Sequence, residues 1–226
     1  MTQTPGPDLN KGGCATALTR PARQVHLAVL GAFARTGQAP GRSELERIAR
    51  AGGADPAAVL AELAERDVIA FGQAGEIRAA YPFSPSPTPI RVNWEGSPVA
   101  YAMCAIDALG VSAMLGRPVT ITAAEPGTGR VITVRADRDQ ARWDPCRAVV
   151  FAGASSGDSC PAADRTCGYI NFFTSARAAR TWAKANPAVT GKVLGRAWAL
   201  SAGVAEFGAF MRTGDGTGPP ASPGQT

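Results

Sequence analysis

The chain has 226 residues, 45% of them hydrophobic and 18% charged, with a formal net charge of +5, five cysteines and one histidine. That length suits one large domain or two small ones with a buried core. The lone histidine excludes a His-rich zinc site and an H-E-x-x-H pair, and any Ser-His-Asp or Cys-His arrangement could use only His26.

Residues 1–19 are rich in Gly, Pro and Thr and are predicted to form a disordered arm. The first 13 residues are polar and lack the apolar stretch of a signal peptide, so a cytoplasmic protein with reduced thiols is expected. Residues 20–83 read as a winged-helix-like domain. A helix is predicted from Pro21 to Arg35, and His26 lies in its apolar run Val25 to Leu30, where a structural role is expected. A second helix starts at Ser43, with Ser43 and Glu46 at capping-box spacing. Asp55 caps a third, with Pro56 at its first position. Two short strands, Val68–Phe71 and Ile77–Tyr81, complete the wing. In a DNA reader the third helix would face phosphate, but its charges are Asp55, Glu62, Glu65 and Arg66. That acidic balance disfavours nucleic-acid binding, and the 20 Arg and 3 Lys are scattered along the chain without a basic block.

The Pro-rich stretch 84–89 is predicted to be a linker. Residues 90–212 read as an α+β domain with mixed or antiparallel strands. Strands are expected near Ile90–Trp94, Val119–Ala123, Arg130–Ala136, Ala148–Ala152 and Tyr169–Phe173. Helices are expected at Val99–Leu115, Ser175–Ala185 and Arg196–Arg212. Val99–Leu115 is the longest apolar run, but Asp107 at its middle argues for a buried helix over a membrane span. Residues 213–226 are predicted to be a disordered tail.

Two constellations could carry chemistry. Cys104 and Asp107 stand at i and i+3, which places thiol and carboxyl on one face of a helix apolar elsewhere. Burial would raise the aspartate pKa and let it hold a proton near neutrality; a small buried cysteine beside an aspartate bonded to backbone is the plainer alternative. The second is Cys160-x6-Cys167, at the end of a small-residue loop that opens the strand Tyr169–Phe173. Two ordinary thiols are equally compatible with that spacing, and no C-x-x-C supports a redox or zinc-ribbon motif. Cys14 and Cys146 read as bystanders.

Taken together and in order, Tyr101-Ala102-Met103-Cys104-Ala105-Ile106-Asp107-Ala108-Leu109, Gly116-Arg117, and Cys167 followed by Phe172-Phe173 resemble the organomercurial (alkylmercury) lyase family. The helix-rich stretch Gly41 to Arg66 and Glu206-Phe207 are also similar. The resemblance implies a winged-helix-like N-terminal domain on an α+β catalytic domain. It implies Cys104, Cys167 and Asp107 as the catalytic set, with the two thiols also holding substrate and product mercury and Cys160 as a candidate accessory ligand. No cofactor is expected; external small thiols would serve as reductant and mercury acceptor, with a mercuric reductase as a further recipient of Hg(II). The implied reaction is protonolysis of the carbon–mercury bond, giving a hydrocarbon and Hg(II). The alternative within the same fold is a non-catalytic thiol protein that binds or senses Hg(II) or another soft ion. Family members often carry an aromatic residue where this chain has Met103, and some carry a second cysteine where it has Gly168; both differences bear on substrate range. A sulfur–sulfur distance of about 3.5–5 Å, with the carboxyl in hydrogen-bond reach, would fit this chemistry.

Overall fold

Helix α2 (Arg20–Thr36) starts where Thr19 accepts the Ala22 N–H and ends at Gly37, whose φ of 68° is open to glycine at little cost. α4 (Pro56–Glu65) begins as expected, with Asp55 accepting from Ala57 and Ala58. α3 (Arg42–Ala51) differs: Gly41 is its N-cap and makes no side-chain cap bond. Glu46 turns instead to Arg42 and Arg50 on the exposed face, so the capping-box reading of Ser43 is corrected. The structure is a computed structural model and describes residues 11–96, 98–155 and 166–211. The first ten residues, the tail 213–226 and Cys160 lie outside the described residues.

The expected arm is corrected over residues 11–19. Lys11–Thr16 form a short helix, α1, because its start is anchored: the Lys11 N–H donates to Glu206 Oε2 at 2.6 Å. Ala15 is buried, and Cys14 packs against the core.

Among the described residues, eight strands form one sheet in the order β1-β2-β3-β5-β4-β6-β7-β8. They are β1 (Ile69–Phe71), β2 (Ile77–Ala80), β3 (Phe83–Ser84), β4 (Ile90–Asn93), β5 (Ala100–Ala102), β6 (Val119–Ala124), β7 (Val131–Asp137) and β8 (Gln140–Asp144). All of these pairings are antiparallel. The hairpin β1–β2 is therefore no free-standing wing. β3 bridges it to β5, so the sheet runs on past the expected boundary at 84–89, and Ser84 within that stretch is buried. The Pro-rich residues serve as a connection inside one sheet.

Alternation along the central strands sorts the two faces. Ile90, Val92, Ile121, Ile132 and Val134 are buried, whereas Arg91, Asn93, Arg135 and Arg142 are exposed. The apolar face is covered by α5 (Ala105–Leu115). The expected helix at Val99 is corrected here: Ala100–Ala102 is a strand, and Cys104, in extended backbone, is the N-cap at which the helix begins. A second sheet of three antiparallel strands has the order β10-β9-β11, from β9 (Val149–Ser155), β10 (Ile170–Phe173) and β11 (Val189–Leu194). α6 (Ala176–Ala185) lies against it, with Trp182 packed on Phe151 and Phe173. β8 and β11 were not expected from the sequence.

α7 (Arg196–Phe207) packs on α5 through glycines. A Cβ at Gly203 would stand 2.6 Å from the Ile106 carbonyl oxygen and 2.8 Å from the Gly110 nitrogen. Gly203→Ala is thus expected to force the two helices apart and cost about 1–3 kcal/mol in urea unfolding. An unchanged midpoint would mean that the helices can separate freely.

No helix among the described residues is long and apolar enough to cross a membrane. His26 is fully buried in α2, set edge-to-face against Phe210 with ring centroids 5.3 Å apart. Its ring nitrogens find no hydrogen-bond partner among the described residues, and burial, with Arg23 nearby, lowers its pKa to about 4.

Candidate functional site

Three elements meet at the start of α5. β5 delivers the chain to Met103, whose N–H donates to the Pro82 carbonyl at 3.1 Å. Cys104 follows as N-cap, and its Sγ accepts the Asp107 N–H at 3.4 Å. Sulfur thus occupies the place that a serine or aspartate oxygen commonly fills, and the i, i+3 spacing arises from capping. The third element is the single 3₁₀ turn Cys167–Tyr169, which leads directly into β10.

The structure brings Cys104, Asp107 and Cys167 together. One ligand atom from each lies within 4.8 Å of the others, and all three residues are buried. The sulfur–sulfur separation is thus no more than 4.8 Å. Asp107 Oδ2 has no hydrogen-bond partner among the described residues.

Electrostatics here are set by burial. Cys104 sits at a helix N-terminus, which by itself favours a thiolate. Burial outweighs this and pushes the thiol well up, helped by the Cys167 thiol and the Asp107 carboxyl. Burial also raises Asp107 to about 7, against the Cys104 hydrogen bond and the positive charge of Lys11; Glu206 adds to the rise. At neutral pH the resting site therefore holds a protonated Cys104 thiol beside a carboxyl that can either give or take a proton.

Lys11 was not singled out in the sequence, and Glu206 entered only through the family resemblance, with no role at the thiol site. Lys11 falls in the stretch expected to be disordered, yet its ammonium pairs with Asp67 and lies 4.1 Å from the Tyr81 ring centroid. Glu206 is a buried carboxylate in an otherwise uncharged part of α7. The reasoning that flagged Asp107 in an apolar helix applies equally to Glu206.

Glu125 was missed as well. It is buried at the end of β6 and takes the Thr128 hydroxyl and both the amide and hydroxyl of Thr174. Burial would raise its pKa, but these bonds and Arg130 hold it below the usual carboxylate range. It fastens the β6–β7 hairpin to the end of β10, the strand that follows Cys167. Cys14 and Cys146 are not part of the thiol–carboxyl cluster. At Gly168 a Cβ would meet nothing within 4 Å among the described residues.

Two buried thiols and a buried carboxyl, with no histidine among them, are a donor set suited to a soft metal ion. Comparison with known proteins makes this specific. The signature of the MerB alkylmercury lyases matches residues 83–208, more than half of the sequence, and the chain belongs to that family. An alkylmercury lyase of Streptomyces lividans is 30% identical over 149 residues, 65% of this chain and 67% of that one. One from Staphylococcus epidermidis (strain ATCC 12228 / FDA PCI 1200) is 31% identical over 102 residues, and one from Bacillus cereus 33% over 109. Those two matches span 46% and 48% of the relatives' own lengths. The crystal structure of the mercury-bound form of MerB2 superposes with a TM-score of 0.70 at 25% identity, covering 89% of this chain and 97% of that one.

Proposed function

We propose that this chain cleaves the carbon–mercury bond of organomercurials by protonolysis, with Cys104, Cys167 and Asp107 as the reacting groups. The observation that carries the reading is the gathering of two thiols and one carboxyl within 4.8 Å in a buried site. It rests equally on membership of a family of alkylmercury lyases.

Hg(II) is soft and prefers thiolate sulfur. An incoming R–Hg⁺ bonds to one thiol, whose proton passes to the Asp107 carboxylate. The second thiol then bonds to mercury and releases its proton to solvent or to the departing carrier thiol. Two sulfur donors raise the electron density on mercury and weaken its bond to carbon. A carbanion is a poor leaving group, so the carbon must gain a proton as it departs, and Asp107 returns the one it took. The balance is one R–Hg⁺ and two thiols in, and one hydrocarbon, one proton and a bis-thiolate Hg(II) out. An Asp107 pKa of about 7 suits both halves of this shuttle.

No resident cofactor is required by this sequence of steps. External small thiols would remove Hg(II) from the cysteine pair by exchange, with a mercuric reductase as a further recipient. Purified protein given phenylmercury and excess small thiol is expected to release benzene, measured by gas chromatography, well above the thiol-only control. Release no faster than that control, with Hg(II) still bound stoichiometrically, would replace this reading with that of a thiol protein that binds mercury without cleaving the bond.

A further inference from the structure

The opposite end of α5 carries a second feature. α5 has 11 residues, so Leu115 lies roughly 16 Å from the thiol end of the helix. There a cleft of about 1030 Å³ opens between the exposed face of the large sheet and the turn that joins α5 to β6. Arg117 from that turn, Arg135 from β7 and Arg142 from β8 all line it.

Arg135 and Arg142 are directly opposite each other across the β7–β8 pair. Like charges so placed destabilise a sheet unless something offsets them. None of the three guanidiniums has a carboxylate partner among the described residues. The same register row continues through Thr120 and Asn93, which extends the line of hydrogen-bond donors across four strands. Two carboxylates also line the cleft, Glu95 and Asp137, and Asp137 is engaged by Arg138 at 3.1 Å. Arg138 also donates to the Gly116 carbonyl, covering part of the negative C-terminal end of α5.

We propose that this cleft binds a small polyanion, with Arg135 and Arg142 gripping one anionic group and Arg117 a second. Guanidinium forks match phosphate and carboxylate oxygens in pairs. The compound carries at least two phosphates or carboxylates, and it binds apart from the thiol site. Binding relieves the Arg135–Arg142 repulsion, so it stabilises the fold.

The test uses the full chain at low ionic strength, with inorganic pyrophosphate and citrate titrated separately by calorimetry and thermal unfolding. Saturable one-to-one binding of pyrophosphate alone assigns the site to phosphate compounds, and of citrate alone to polycarboxylates; either supports the proposal. Arg135→Gln/Arg142→Gln is expected to weaken that binding roughly tenfold or more. It should also raise the melting temperature of the unliganded protein and leave hydrocarbon release unchanged. Arg117→Gln is a milder variant with the same direction of effect on binding. Arg177→Gln/Arg180→Gln, on exposed positions of α6, removes the same charge elsewhere and should change binding little. No saturable binding of either anion in the millimolar range overturns the proposal. So does an equal loss of binding in both double variants, which would reduce the effect to net charge.

Discussion

Asp107→Asn is expected to keep stoichiometric Hg(II) binding while hydrocarbon release falls by about 10²–10⁴-fold, the range a positioned general acid supplies. Asparagine has nearly the shape of aspartate, so both thiols should stay in place, and it cannot carry the proton from sulfur to carbon. The same variant carries a second signature. In the folded protein the Asp107 pKa is raised from 3.8 to about 7. The fold thus binds a proton that the unfolded chain has already released. The Asp107 contribution should be fully present below pH 4 and should be lost as pH rises from about 4 through 7. The asparagine variant lacks this loss. Above pH 7 it should be more stable than the parent protein, by as much as ~4 kcal/mol, and equal to it in acid. Urea unfolding at pH 5 and pH 8, beside gas chromatography of the released hydrocarbon, checks both. Parental cleavage rates in the variant would remove Asp107 as the proton carrier. A pH-independent stability difference would mean that its carboxyl titrates normally.

Replacing either sulfur should abolish turnover. Cys104→Ser and Cys167→Ser are each expected to reduce hydrocarbon release to the level of the thiol-only control, because a hydroxyl is a hard, weak donor to Hg(II). Cys104→Ser separates chemistry from folding well. The residue is the N-cap of α5, and serine is a favoured N-cap. The fold should therefore be as stable as the parent or slightly more so, while the site is inactive. Circular dichroism on heating together with the hydrocarbon assay makes the distinction. Turnover at the parental rate in either variant would exclude that cysteine from bond cleavage.

The N-terminal helices were readable because their signals are local. Thr19, Asp55 and Pro56 act within one turn, and Gly37 stops α2 by backbone conformation alone. Local signals also misled. Ser43 and Glu46 have capping-box spacing, but nearby Arg42 and Arg50 compete successfully for the glutamate. Val99–Leu115 looks like one apolar helix because strand β5 is only three residues long and its half-buried middle position carries Tyr101, so no polar residue marks the alternation of a strand. β8 carries Gln140, Arg142 and Asp144 with few apolar residues, and β11 is interrupted by Gly191 and Lys192. Both are strands chiefly because a neighbour supplies a ladder, which their own residues do not encode.

The candidate site was more legible than the fold around it. Cys104 and Asp107 are close in sequence, and an aspartate among apolar residues is conspicuous. That Cys167 joins them depends on β10 and its turn, sixty residues downstream of Asp107, and only the resemblance to a family pointed there. Lys11 escaped notice because its partners lie more than forty residues away, and the tie from Glu125 to Thr174 spans a similar gap; Glu206 had a local signal, a carboxylate among apolar helix residues.

The unbroken sheet bears on how this chain could be divided. The family signature begins at Phe83, the first residue of β3, which is midway between the hairpin and the strand leading to Cys104. A fragment starting there would keep every residue of the thiol site and still be half a structure. It would present a bare edge of backbone donors and acceptors, lined by Phe83 stripped of its stacking partner Phe33. Such a fragment would tend to self-associate. For this protein, the smallest stretch that carries the chemistry is shorter than the smallest stretch that can stand in water.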